Sequence, residues 1–550
     1  MNNNLDNAYY YLENFRFVLV WVLQRYSDLL EHDEVDFIEK FSKVSMRSQA
    51  LLVRMVMRKG DLFRASKLDY EEIGDTEEAA RSLIDQGWLQ IDPSISLEQL
   101  FHLLTKKEFA QALCLAEDKV AKKIDLLESA RANKYEPRRF SEWGTAPIDA
   151  LYEVRVGAVC DRIRLMFFGN LYQGWTEFVL ADLGIFTYEK VPFSDASRAF
   201  NHRRDIDAYL HLHDCRERLH DGLALQEIEC EVNTIDCINP WLQGRRAKLL
   251  FQIGQAYEQL DDKESAIRAY AQCDYPGARS RRIRVLEKDG RIADALKLVE
   301  MAFNSPESDT EDQHLARIMP RLQRKLGLAR LQTRVKPPIP HIDLALPKPT
   351  EAVYVEEIAR CHIEQTSVDA PVYYVENTLV NSLFGLLCWD AIFSAVPGAF
   401  FHPFQAGPAD LHSADFRKRR ADQFQRSLAQ LSSQQYQQTI RDNFHHKTGI
   451  QSPFVSWSML SEVLLEQALT CLPAHHLTKF FERILDGIAA NRSGFPDLIQ
   501  FWPQEKRYRM IEVKGPGDRL QDNQIRFLDF CLVHDIPVAV CHIDWKAEVA

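Results

Sequence analysis

Asp497, Glu512 and Lys514 are residues whose types and spacing could do chemistry. Asp497 follows Pro496, and Glu512 and Lys514 lie 15 and 17 positions later (512 − 497 and 514 − 497). Two carboxylates offer the hard oxygen ligands that Mg²⁺ or Mn²⁺ prefers. The backbone carbonyl of Val513, between Glu512 and Lys514, can supply another. Lys514 can orient a water or offset developing charge. Such a set suits hydrolysis of a phosphodiester, which needs an activated water and compensation for extra charge at phosphorus.

The elements that must position these groups are legible nearby. Leu498, Ile499 and Phe501, then Met510, Ile511 and Val513, are apolar, with Gln504-Glu505-Lys506-Arg507 between them. That pattern predicts two strands joined by a polar turn. Glu512 and Lys514 are two apart on the second strand, so both emerge on one face. Gly515-Pro516 and a helix over about 520–532 follow. Glu376 precedes the apolar run Leu383-Phe384-Gly385-Leu386-Leu387-Cys388-Trp389. It reads either as a helix-start acid favoured by the dipole or as a third metal ligand.

Pro-Asp followed by Glu-x-Lys resembles the PD-(D/E)XK nuclease superfamily. The run Glu512-Val513-Lys514-Gly515-Pro516-Gly517-Asp518-Arg519-Leu520, with Gln524 after it, is similar to the virus-type replication-repair (VRR-NUC) nuclease module.

At 550 residues the chain predicts several domains, and 46% apolar content suffices for sizeable cores. A net charge of −12 argues against a uniformly basic nucleic-acid coat but allows local basic grooves. The 11 cysteines include no Cys-x-x-Cys pair, which favours free thiols. His445, His446, His475 and His476 occur as doublets without matching partners, so Cys/His metal ligation is not expected. No signal peptide is visible, and the apolar run from Phe17 to Leu23 is far shorter than a membrane span. A cytoplasmic, nucleoid-associated location is expected.

Along the chain, residues 1–60 show helical spacing, and Arg47, Arg54, Arg58, Lys59, Arg64 and Lys67 form a locally basic stretch. Asp69 to Ile91 reads as a small helical or winged-helix unit. Ser96 then caps a helix and a second begins near Lys106, as in SAP-like DNA-binding modules. Residues 155–240 are helical and aromatic-rich, with Arg203, Arg204, Arg216 and Arg218 among carboxylates. Leu250 to Arg291 carries the small/large pattern of tetratricopeptide-type hairpins, and residues 258–266 resemble 287–295 at an offset of 29. Arg245, Arg246, Lys248, Arg279, Arg281 and Arg282 sit where these hairpins open, as solvated charge or as a phosphate-binding pocket. Thr333 to Pro349 holds five prolines and predicts an extended linker. Arg417-Lys418-Arg419-Arg420 is a further candidate for phosphate contact.

The predicted architecture is a mainly α multidomain chain. It comprises a helical and SAP-like DNA-binding region (1–150), a region with tetratricopeptide-like helical hairpins (151–335) and a Pro-rich linker (336–350). An α/β PD-(D/E)XK nuclease region follows (351–550), its core at about 437–550. In this order the chain resembles the Fanconi-associated nuclease family, bacterial type. Further stretches carrying the resemblance are Lys67 to Ile73, Thr176 to Gly184 and Gly385 to Asp390. The resemblance implies that Glu376 is an upstream metal-binding glutamate, that Asp497, Glu512 and Lys514 are the core, and that Gln524 belongs to the helix after the lysine strand. It also implies action on 5′ flaps and branched DNA, 5′ to 3′ exonuclease action and a part in interstrand cross-link repair. Animal members begin with a ubiquitin-binding zinc finger. Here the first cysteine is Cys114, so that finger is not expected. A degenerate nuclease fold serving as a DNA- or protein-binding scaffold, or an RNA-processing nuclease, are the alternatives. The intact Asp497/Glu512/Lys514 set favours the enzyme.

Overall fold

The computed structural model describes residues 8–114, 122–144, 149–175, 186–328, 338–349, 351–367 and 369–546. The Thr176 to Gly184 stretch and residues 333–337 of the Pro-rich segment lie outside them. The chain divides into two compact units. One comprises Met1–Thr187 with Phe200–Ile206, the other Tyr188–Ala199 with Asp207–Ala550.

The first unit opens with helices Tyr10–Tyr26, His32–Phe41 and Met46–Val56. Leu12, Phe15, Val18, Leu19 and Val22 recur at helical spacing and are all buried. Ser45 caps the third helix, accepting from Ser48 N. Three short strands, β1 (Leu62–Arg64), β2 (Leu89–Ile91) and β5 (Leu151–Val154), form an antiparallel sheet with β5 in the centre. A two-stranded ribbon of β3 (Ser94–Ile95) and β4 (Arg138–Arg139) accompanies it. Helices Leu97–Leu103 and Lys106–Ala112 each start in a reciprocal capping box, Ser96 with Gln99 and Thr105 with Glu108. Each such cap contributes about 1 kcal/mol.

In the second unit, helices Pro240–Gln259, Lys263–Ala271, Ala278–Lys288, Ile292–Asn304 and Asp309–Lys325 pack successively into an array. Its small/large rule is literal: a Cβ on Gly254 would stand 2.5 Å from the Tyr270 ring. The offset of 29 has a physical meaning too. Glu258 and Glu287 end equivalent helices, and each binds basic side chains of a later helix. Glu258 holds Arg281, and Glu287 holds Arg321 and Lys325.

The nuclease region is built on a five-stranded sheet of order β6-β10-β9-β8-β7. Its strands are β6 (His341–Leu346), β7 (Val372–Tyr374), β8 (Leu498–Trp502), β9 (Arg507–Lys514) and β10 (Val538–Trp545). β10 runs parallel to β6 and β9, while β8 is antiparallel to β7 and β9. Strand alternation divides the residues between two cores. Leu498, Ile511 and Val513 join Ala359 and Ile363 of helix Val355–Thr366. Ile499, Phe501 and Met510 face the larger core with Phe480, Phe495 and Phe527.

One expectation is corrected here. The Pro-rich segment is not a free linker throughout, because His341–Leu346 is an edge strand paired with β10. Its alternation of Ile342, Leu344 and Leu346 is a strand pattern, and proline is tolerated at the ends of an edge strand.

Candidate active site

The catalytic candidates come together because three strands stop at one edge of the sheet. β8 and β9 pair Leu498 with Ile511, so the next opposed pair beyond the ladder is Asp497 with Glu512. Where the backbone ladder ends, Val513 N donates to Asp497 Oδ2 at 2.8 Å. On the other side, Val375 N donates to Asp497 O at 2.8 Å, which brings the end of β7 and then Glu376 to the same edge.

Asp497, Glu512 and Lys514 are 7%, 1% and 9% exposed. Lys514 Nζ lies 2.8 Å from Glu512 Oε1, and Gln524 Nε2 donates to the same oxygen. Burial, Asp497 and Glu376 push Glu512 up to about 7 against the pull of Lys514. Burial, with Glu376 adding to it, pushes Asp497 up to about 6, though the Val513 N–H pulls the other way. Two buried carboxylates, each raised partly by other acids, are a site short of positive charge. Their hard oxygens fit a divalent cation of the Mg²⁺ or Mn²⁺ kind.

Glu376 is exposed and precedes Thr378, the N-cap residue of helix Leu379–Leu387. Its carboxylate accepts from Tyr374 OH at 2.6 Å and from Asn377 Nδ2 at 3.2 Å. Tyr374 is therefore a site residue that sequence reading missed. Its signal was a position two before Glu376. Asp518, within the run Glu512 to Leu520, closes the turn after Lys514, its Oδ2 accepting from Gly515 N at 3.1 Å.

The basic candidates divide differently from expectation. Arg245 stacks on Tyr209 and Trp241, its guanidinium carbon 4.6 and 4.3 Å from the ring centres. Arg246 donates to Val232 O and Asn233 O, and Lys248 is exposed. Arg279 pairs with Glu311, and Arg281 with Glu258. Arg282 is half-buried, and its Nε has no hydrogen-bond partner among the described residues.

The run at 417–420 is largely structural. Arg420 is fully buried and holds Asp410 with two bonds of 2.8 Å. Arg419 also binds Asp410, and Arg417 binds Asp486. In the N-terminal basic stretch, Arg54 pairs with Glu72, and Arg64 with Glu108 and Asp149. Arg47, Arg58, Lys59 and Lys67 stay exposed. Arg203 pairs with Glu34, and Arg218 with Asp214 and Glu231.

One Cys/His cluster lies away from the histidine doublets. Among the described residues, His211, Cys215 and Glu231 place ligand atoms within 4.8 Å of one another. His211 and Cys215 are four apart on one helix, a spacing the doublets obscured. The Arg218 guanidinium already occupies Glu231.

A mixed sheet with Asp497, Glu512 and Lys514 at its strand ends defines a nuclease of the PD-(D/E)XK class. Residues 431–545 match the family model described as the VRR-NUC domain, a class that depends on divalent metal. Residues 9–90 match the FAN1 HTH domain, and 94–143 the Fanconi anemia-associated nuclease SAP domain. The chain is 53% identical to the Fanconi-associated nuclease 1 homolog of Pseudomonas aeruginosa over 548 residues, covering 99% of this chain and 97% of that protein. It is 24% identical to Fanconi-associated nuclease 1 of Homo sapiens, covering 97% of this chain and 62% of the human protein. The crystal structure of paFAN1 bound to 2nt 5′ flap DNA with gap superposes with a TM-score of 0.90 at 53% identity, covering 99% of each chain. The chain belongs to the Fanconi-associated nuclease family. Among the described residues, no helix is long and apolar enough to cross a membrane.

Proposed function

We propose that this protein is a Mg²⁺- or Mn²⁺-dependent nuclease that cuts 5′ flaps and branched DNA, trims strands 5′ to 3′ and serves interstrand cross-link repair in the bacterial cytoplasm, on nucleoid DNA. The observation that carries the reading is the convergence of Glu376, Asp497, Glu512 and Lys514 on one sheet edge. The similarity to paFAN1 crystallised with 5′ flap DNA supports the substrate class.

Glu376, Asp497, Glu512 and the Val513 carbonyl would hold the metal. A divalent cation held there supplies Lewis-acid charge for a phosphoryl oxygen and lowers the pKa of a water. Val513 N–H orients the Asp497 carboxylate through Oδ2. Gln524 fixes Glu512, and Lys514 offsets charge developing on the attacked phosphate. Arg47, Arg58, Lys59 and Lys67 take phosphates of the duplex arms. Arg245, Arg246, Lys248 and Arg282 contribute to a 5′-phosphate site on the helical array.

The test is cleavage of end-labelled 5′-flap, 3′-flap, duplex, single-stranded DNA and single-stranded RNA with each metal. Metal-dependent cutting at the 5′ flap, lost on chelation, is the expected result. Equal cutting of every substrate, or a preference for RNA, overturns the flap reading.

A further inference from the structure

The helix after the lysine strand, Asp522–Val533, has two opposed contacts. Asp522 opens it, and Arg317 of the last array helix grips that carboxylate with two bonds of 2.7 and 2.6 Å. Gln313, one turn earlier on the array helix, donates to Asp522 O at 3.3 Å and accepts from Arg526 at 2.7 Å. Asp522 and Arg526 are four apart and share a face. Gln524 lies about 200° around from Asp522 at about 100° per residue. On that other side its Nε2 donates to Glu512, while its Oε1 accepts from Gln521 N at 2.8 Å. A single helical turn therefore stands between the array and the buried carboxylate.

We propose that Arg317 and Gln313 are positioning residues for the catalytic centre. By holding the first turn of the Asp522–Val533 helix they set Gln524, and through it the Glu512 carboxylate that receives the metal. The array then does more than carry DNA: a displacement of its last helix changes the geometry of the metal site. This inference rests on the reading of Glu512 as a metal ligand. The ion pair itself is half-exposed, with side chains 50% and 58% accessible. Exposed pairs of this kind contribute little to stability, so its role can be separated from folding.

The experiment uses the full chain and reads Mn²⁺ binding by calorimetry and electron paramagnetic resonance. Arg317→Ala and Gln313→Ala should weaken Mn²⁺ binding about three- to tenfold, a smaller effect than that of a side chain bonded directly to a ligand. Hydrolysis of bis(p-nitrophenyl) phosphate, which needs no DNA surface, should fall in parallel. Flap affinity measured with Ca²⁺ should hold. The charge exchange Arg317→Asp with Asp522→Arg should restore much of the Mn²⁺ affinity. Unchanged Mn²⁺ affinity and small-ester hydrolysis in both single variants overturns the inference. If Glu512→Gln binds Mn²⁺ as tightly as the parent, the reading of the site falls too.

Discussion

Asp497 and Glu512 stand directly opposite each other just beyond the last paired residues of β8 and β9, and Val513 N ties the two strands through Asp497 Oδ2 at 2.8 Å. The antiparallel register alone places two carboxylates on one face, from strands joined by a short turn. Asp497→Asn and Glu512→Gln keep the shape and remove the charge. Each should lower flap cleavage at least about 100-fold. Flap binding should remain, because affinity comes mostly from phosphate contacts elsewhere. Gel-shift and single-turnover cleavage on the same substrate check both halves. Glu376→Gln should also be strongly impaired.

The same pair predicts how the metal-free protein responds to pH. Glu512 is raised in the fold from 4.5 to about 7. An acid so raised binds its proton more tightly folded than unfolded. Its contribution is present below pH 4.5 and is lost as pH rises through 7, on the order of 3 kcal/mol in all. Thermal unfolding in chelator should show this fall, and Glu512→Gln should flatten it. Mn²⁺ should stabilise strongly above pH 7 and little at pH 5, because a protonated carboxylate is a poor ligand.

Arg420 and Arg417 share a basic run but should behave oppositely. Removing Arg420 leaves Asp410, itself buried, without its main partner, and Arg420→Ala should cost about 3–5 kcal/mol. Arg417 pairs on the surface, and Arg417→Ala should cost less than about 1 kcal/mol. Denaturant unfolding separates them.

The placement of Asp497, Glu512 and Lys514 at one end of the sheet was legible because they lie on or beside two adjacent strands, where local period and register fix geometry. Glu376 is 121 positions earlier (497 − 376), and nothing local tells a helix-start acid from a ligand. The hairpin arginines were harder still. Arg279 and Arg281 meet Glu311 and Glu258, which are 32 and 23 residues away. Only helix packing reveals such partners, and a count of basic residues cannot separate a paired guanidinium from an available one. β6 was hidden because flanking prolines outweighed the alternation of six residues between them.

Exposed basic residues of the first unit should carry duplex affinity. Replacing Arg47, Lys59 and Lys67 by Ala should lower the slope of log affinity against log salt by about 3 if each meets one phosphate. Arg54→Ala and Arg64→Ala should act on stability instead, since their partners are Glu72, Glu108 and Asp149. Fluorescence anisotropy over a salt series, beside thermal unfolding, distinguishes the two classes.

Choice of the 5′ end needs a feature outside the catalytic edge, because one metal site cuts any strand within reach. A terminal phosphate carries more charge than an internal one and is best met by fixed guanidinium and ammonium groups. On the array, Arg279 and Arg281 are committed to Glu311 and Glu258. Arg245 lies over the Tyr209 and Trp241 rings, one turn from the exposed Lys248. The start of the Pro240–Gln259 helix is therefore the better place for a 5′ phosphate. Arg245→Ala with Lys248→Ala should reduce the preference for 5′-phosphorylated over 5′-hydroxyl short flaps about tenfold, roughly 1.4 kcal/mol. Internal cutting of long flaps should change less. Arg279→Ala should instead lower stability by about 1–3 kcal/mol, since Glu311 is buried, and leave the phosphate preference alone. If Arg279→Ala erases that preference while the Arg245 and Lys248 variant keeps it, the 5′ end is read at the second hairpin.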